Sequence, residues 1–380
     1  MQLSGKTILV LSPQPWGNMR LSKHHYAETL AKLGNTVYFI GPPEKGISLA
    51  APTVEPDPDS GVSVLKYRFF FPEILRFKAF ALYRLFMRLV VARILRFTGK
   101  ADLVWDFLNT PLFPEISMFR ANAWIRHPVD HVPSGGESGA KPDLVLSVSP
   151  HILEPYRERG WPAYYLAHGL SAGFVPLAES RLKIPVYQPG QPVKVGYVGN
   201  VRFGKIDREL VLTLVEAHPE VEFHFFGTYL PEAGFGHPSD TAASDFVMKL
   251  QAQPQVKLHG SVKPAQLATH LEQLDVFLVA YALDNDPNQN ANSHKIIEYL
   301  STGRAVVSTH ISAYAGTDLL VMPDTPGDNL TVPELFSDVV RNLETWNSVE
   351  KQQTRIAFAL DNTYASHVRR VEGFLNAHKK

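Results

Sequence analysis

The sequence predicts an α/β protein made of two Rossmann-like domains, and three observations carry that expectation. Each half opens on an apolar strand followed by a loop, a helix and a second strand, the order that builds a parallel sheet. Several strands end in glycine or in a Gly-Pro turn. The loops they open lie at the carboxyl ends of strands, where ligands bind in such sheets. A proline-rich stretch, PVYQPGQP at 185–192, has the composition of a linker. The expected organisation is a first domain over 1–180, a linker over 181–192 and a second domain over 193–361. Two facing sheets would leave a cleft between them.

In the first domain the spacing predicts strands at 7–11, 37–40, 62–67, 103–106, 123–126, 144–147 and 164–166. A helical pattern runs over 22–33 and stops at Gly34. The segment 71–100 reads as long and helical, with seven Lys or Arg against the single acid Glu73. Residues 133–141, rich in glycine and serine, read as a loop. In the second domain strands are expected at 193–198, 222–226, 256–259 and 276–280, with a buried strand after Gly303. Helices are expected at 207–217, 264–271, 292–300, 333–343, 347–358 and 364–377.

Composition narrows the functional classes. The chain has 380 residues, enough for two separate cores. Its 37 basic and 37 acidic residues give no global field, so a nucleic-acid partner is not expected. Cysteine is absent, which excludes disulfides and thiolate metal sites. The first apolar run is short and strand-like, and no uncharged stretch is long enough to span a bilayer. A cytoplasmic location, at the inner face of a membrane if 71–100 touches lipid, is the expectation.

The most informative stretch is NSHKIIEYLSTGRAVVST at 292–309. Asn292 is suited to cap a helix, which puts Lys295 and Glu298 three residues apart on one face. A helix N-terminus attracts anions, and a carboxylate one turn further in accepts hydrogen bonds from a sugar diol. The bland reading, a surface helix with one Lys–Glu pair, does not explain the polar loop before it. A second motif, GNVRFGK at 199–205, begins like a phosphate-binding loop, with Arg202 and Lys205 adding charge. Ile206 stands where an NTPase loop needs Ser or Thr for Mg²⁺, so that reading is set aside. Asp284-Asn285-Asp286 spells an Asp-x-Asp metal–diphosphate pattern, but loops rich in Asp, Asn and Pro are ordinary turns.

These residues match a family. VGYVGN at 195–200, FHFFG at 223–227, VKLHG at 256–260, LDVFL at 274–278 and NSHKIIEYLSTGRAVVS at 292–308 resemble, in order and spacing, GT-B glycosyltransferases related to family 4. The first half resembles the same group through WGN at 16–18, SKHHY at 22–26, IRHPVD at 125–130 and LVLSVS at 144–149. The terminal segment 362–380 is similar to the helix that returns to the first domain in this fold.

The resemblance implies that the second domain binds a nucleotide-sugar donor and the first an acceptor. Glu298 would hold the donor ribose. Asn292, Ser293 and Lys295 would sit at the diphosphate end. Gly199, Asn200, Arg202 and Lys205 would form the phosphate-facing turn. His259 and Gly260 would lie near the base, and Gly227 and Gly17 would complete the donor-binding set. The nucleotide-sugar is a co-substrate; no cofactor and no metal are expected. Retaining members carry a second glutamate eight residues before the ribose-binding one, where this chain has Asn290. If the enzyme inverts, a base must come from the first domain: Asp130 first, then His25 and His24.

The substrate class implied is a UDP- or GDP-sugar and a carbohydrate or lipid-linked acceptor, in bacterial surface polysaccharide synthesis. Two other readings stay open: an epimerase or hydrolase of the same fold, and a non-catalytic protein that binds sugar nucleotides. Segment 71–100 likewise has two readings. It is either a domain helix whose arginine stems cover apolar neighbours or a contact for anionic lipid. Its charges spread around the helix and form no single stripe, which argues against a simple interfacial helix.

Overall fold

The computed structural model describes residues 1–17, 20–129, 140–183, 187–230, 241–282 and 293–378. Asp130, Asn290, Asn292 and the 284–286 triplet lie outside these residues. The chain divides into two compact units, Met1–Ala167 with Tyr364–Lys380, and His168–Thr363.

The first unit holds eight strands: β1 (Thr7–Leu11), β2 (Thr36–Ile40), β3 (Thr53–Pro56), β4 (Ser63–Lys66), β5 (Leu103–Asp106), β6 (Ala123–Arg126), β7 (Leu144–Ser147) and β8 (Ala163–Tyr165). They form one sheet in the order β3-β4-β2-β1-β5-β6-β7-β8. Every pairing is parallel except β3 with β4. The order reverses between β1 and β5. Its helices are α1 (Ser22–Lys32), α2 (Leu75–Lys78), α3 (Phe80–Thr98) and α4 (Pro150–Glu158), and the last helix of the chain, Tyr364–Ala377, also belongs to this unit.

Strand side chains alternate between two cores, as the period of two requires. Ile8, Val10, Leu103 and Trp105 face α1 and the terminal helix through Tyr26, Leu30, Val368 and Val371. Leu9, Leu11 and Val104 face α3 through Tyr83, Met87, Val91 and Ile94. The stretch expected to be one helix over 71–100 is two, because the backbone at Ala79 leaves the helical region (φ −148°, ψ 65°).

The second unit contains α5 (Val175–Lys183), β9 (Lys194–Val198), α6 (Arg208–Ala217), β10 (Glu222–Phe226), α7 (Thr241–Gln251), β11 (Val256–Gly260), α8 (Pro264–Leu271), β12 (Val276–Val279), α9 (His294–Ser301), β13 (Ala305–Ser308), α10 (Val332–Arg341), α11 (Leu343–Trp346) and α12 (Val349–Asp361), and the terminal helix is accordingly α13. The sheet is wholly parallel, ordered β11-β10-β9-β12-β13. Val195, Phe223, Val276 and Val307 pack against α6, α7 and α10. Phe226, Phe277 and Val306 pack against α8, α9 and α12 on the other face. Helix α5 lies in this second unit because Ala178 shares its core with Ile356 and Leu300. The division therefore falls before the proline-rich stretch at 181–192.

Candidate donor site in the second unit

The order of the second sheet reverses between β9 and β12, the switch point at which doubly wound sheets open a crevice. The register shows the opening directly. β9 and β12 pair only at Val195–Val276 and Gly196–Phe277, and then part company. The Val198 N–H, left without a strand partner on that side, donates instead to the Tyr299 hydroxyl at 2.8 Å. Tyr299 is buried and stacks on Phe277 at 4.3 Å. One side chain thus caps the splayed strand and fixes α9 beside it.

Two glycines shape the floor of the crevice. The Gly199 N–H donates to Phe226 O at 2.8 Å, and the Gly227 N–H donates to Gly260 O at 2.8 Å. Both residues have positive φ, 150° and 144°. A Cβ on Gly227 would collide with the Gly199 carbonyl, and one on Gly199 would collide with the Lys295 ammonium. The backbone angle favours glycine at both positions, and at Gly227 the backbone contact leaves no room for a side chain.

Helix α9 begins at Ser293, its N-cap, one residue later than the cap suggested by the motif. The Ser293 side chain does not cap the helix; it hydrogen-bonds to Tyr281. Of the first-turn amides, the Ile296 N–H turns back to Ser293 O at 3.0 Å. Lys295 lies against Gly199, its ammonium 5.9 Å from the Tyr197 ring centroid. Glu298 follows three residues on. Among the described residues, neither charged end has a hydrogen-bond or ion-pair partner.

Burial pushes the Glu298 carboxyl up to about 8, with the Lys295 charge opposing. Burial also draws the Lys295 ammonium down to about 8, with Glu298 opposing. Both residues keep a minority of their surface accessible, so the shifts come from crowding around the charged ends and not from complete enclosure. An ammonium and a carboxyl crowded together beside the turn after β9 form a site suited to a polar ligand.

The other expected residues divide. Asn200 joins the turn after β9, its Oδ1 accepting the Arg202 N–H at 2.9 Å. Arg202 itself is buried and points its guanidinium at the Ser244 hydroxyl in α7, 3.2 Å away. Lys205 is exposed. His259, on the edge strand, stacks on Phe226 at 4.4 Å and meets His224 at 3.0 Å, while Gly260 carries the Gly227 bond already described. Residue-level reading had passed over Tyr299. Its place in the run Ile-Ile-Glu-Tyr, on the apolar side of an amphipathic helix, was the available signal.

In the first unit Gly17 is exposed with open space around it. His25 stacks on Tyr364 at 5.0 Å, its Nδ1 3.7 Å from Glu28. His24 is a structural residue. Its Nδ1 accepts the Leu21 N–H at 3.0 Å, so the opposite ring nitrogen carries the proton and donates to Pro15 O at 3.1 Å. Burial depresses its pKa to about 4, which keeps the ring neutral. A ring with both nitrogens engaged in this way cannot act as a base.

No protein-family model matches the chain, and no curated protein matches it. Solved structures do. A sucrose-phosphate synthase from Thermosynechococcus elongatus aligns with a TM-score of 0.68 at 11% identity, over 98% of this chain and 99% of that one. An α,α-trehalose-phosphate synthase (UDP-forming) from Burkholderia vietnamiensis gives 0.68 at 11%, over 98% and 97%. HepE of Anabaena, in complex with UDP and glucose, gives 0.64 at 13%, over 98% and 99%. The protein has the GT-B fold, two Rossmann-like α/β domains, as these enzymes do.

Proposed function

We propose that the protein is a glycosyltransferase that takes its sugar from a nucleotide-sugar donor, UDP-linked in preference to GDP-linked, and passes it to a carbohydrate acceptor. One observation carries the reading: the Lys295 ammonium held against Gly199 at the sheet's switch point, with the Glu298 carboxyl one turn further on. The ammonium and the α9 amides suit a diphosphate, and the carboxylate suits a ribose diol. Leaving-group charge would be stabilised by these fixed groups, so the reaction as proposed uses no metal. UDP is favoured because similar structures carry it in their names or complexes. Asp130 or His25 would supply the base if the reaction inverts. The acceptor fits a growing surface polysaccharide on a lipid carrier, at the cytoplasmic face of a membrane.

A thermal-shift panel of UDP-, GDP-, ADP- and dTDP-sugars tests the donor reading, since a ligand that binds only the folded form raises Tm. A UDP-sugar is expected to give the largest rise. No rise with any nucleotide would remove the site assignment. Nucleotide release in the absence of acceptor would identify an epimerase or hydrolase instead, and binding without turnover on any acceptor a non-catalytic protein.

A further inference from the structure

We infer that the outward face of α2 and α3 is a docking surface for an anionic phospholipid bilayer. Helix α3 buries Tyr83, Met87, Val90, Val91, Ile94 and Thr98. A water-soluble helix should then be polar on the far side. It is not. Leu82, Leu85 and Leu89, spaced three and four residues apart, form an exposed apolar ridge opposite the core, Leu85 and Leu89 each about half exposed (53% and 52%). Phe77, 75% exposed, continues the apolar surface past the break at Ala79. The neighbouring loop adds Leu49, also 75% exposed and fastened to α3 where Arg93 donates to Leu49 O at 2.8 Å.

Arginines border this ridge. By helical spacing Arg84 and Arg88 lie on one flank and Arg93 on the other, with Arg96 near the far end. Glu115 takes up part of the charge, 2.7 Å from Arg84 and 3.5 Å from Arg88. The surplus still stands: seven basic residues to one acidic between 71 and 100. The sequence pattern had spread these charges around the helix; the burial pattern sorts them, because the apolar residues among them face outward. Exposed leucine and phenylalanine bordered by arginine match the two layers of an acidic bilayer surface, acyl boundary beneath and phosphate above. Basic residues on every side of the ridge disfavour a second copy of the same face, which would bring like charges together. No helix among the described residues is long and apolar enough to cross a membrane. The contact is therefore one of lying on the surface.

The test is co-sedimentation of the full chain with phosphatidylcholine vesicles, with and without phosphatidylglycerol, at low and high salt. Binding is expected only with phosphatidylglycerol and should weaken with salt. Replacing Leu82, Leu85 and Leu89 together by Gln should reduce partitioning about tenfold or more. Replacing Arg88 and Arg96 by Gln should cost about fivefold per residue. All these side chains are exposed, and unchanged Tm would show that the fold persists. Wild-type protein that ignores phosphatidylglycerol vesicles, or variants that bind as well as the parent, would overturn the inference. So would a wild-type dimer in solution that the leucine variant dissociates, with no vesicle binding. Nucleotide-sugar binding is measured separately and stands or falls independently.

Discussion

The two sheets reverse their strand order at comparable places, β1/β5 in the first unit and β9/β12 in the second, but the charged groups there are partnered differently. In the first unit two titratable groups are satisfied from within, although the buried Gln14 Oε1 and Trp16 Nε1 after β1 have no hydrogen-bond partner among the described residues. The Asp106 carboxylate at the end of β5 accepts from Arg126 at 2.8 Å and from the Leu108 N–H at 2.9 Å. His24 has both ring nitrogens occupied. In the second unit Lys295 and Glu298 are crowded and partnerless among the described residues. A crowded ammonium and carboxyl at a strand-order reversal are groups to which a polar ligand would contribute partners.

Substitutions can break that contrast. The largest effect is expected from Gly227→Ala, which drives a methyl group into the Gly199 carbonyl at a φ that L-residues avoid. A loss of about 3 kcal/mol or more, or failure to fold, should appear in urea denaturation. Next comes Glu298→Ala, which should weaken nucleotide binding roughly 10- to 100-fold in calorimetry. Its Tm should not fall at neutral pH. A folded-state pKa raised from 4.5 to about 8 means that the carboxyl erodes stability as pH climbs through that window. Removing it removes the penalty, and a large drop in Tm would contradict the partnerless assignment.

His24→Ala sharpens the other side. It deletes partners of Leu21 and Pro15 and should cost about 1–3 kcal/mol of stability while leaving nucleotide affinity unchanged. Tyr299→Phe is expected to cost about 1 kcal/mol by orphaning the Val198 N–H, with a matching small loss of affinity as α9 loosens. The mildest effect is on pH. In the proposed function Glu298 would bind a diol as carboxylate, so affinity should rise toward about pH 8; Lys295 would bind phosphate as ammonium, so affinity should fall beyond it. Titration of nucleotide affinity from pH 6 to 10 should trace a bell, which Glu298→Gln converts to a one-sided decline.

Much of this was legible beforehand. Strands β1, β5, β6, β7 and β10 fall at the residues that apolar runs and flanking glycines indicated, because buried parallel strands leave a dense signal. Strand β3 escaped notice: Thr53–Pro56 is short, mostly exposed and antiparallel at the sheet edge, so it lacks an apolar run. The break at Ala79 sits in a good helix former and has no marker in residue type. The site was half legible. Lys295, Glu298 and the two glycines come from a local motif and its neighbouring strand ends. Arg202 reads in the sequence as a phosphate ligand, and in the fold its guanidinium reaches Ser244, 42 residues along the chain, a pairing that only folding creates. His24 and His25 are adjacent and chemically identical, and only the direction of each ring separates a structural residue from an available one.

The Tyr299–Val198 bond has a kinetic consequence. The gap between β9 and β12 is held by a bond internal to the unit, since a hydroxyl already does for the backbone what a neighbouring strand would have done. A nucleotide bound as proposed would not wait for the sheet to part. Its rate of capture would then be set by encounter and by attraction to the ammonium, and slow steps in turnover would arise elsewhere in the cycle.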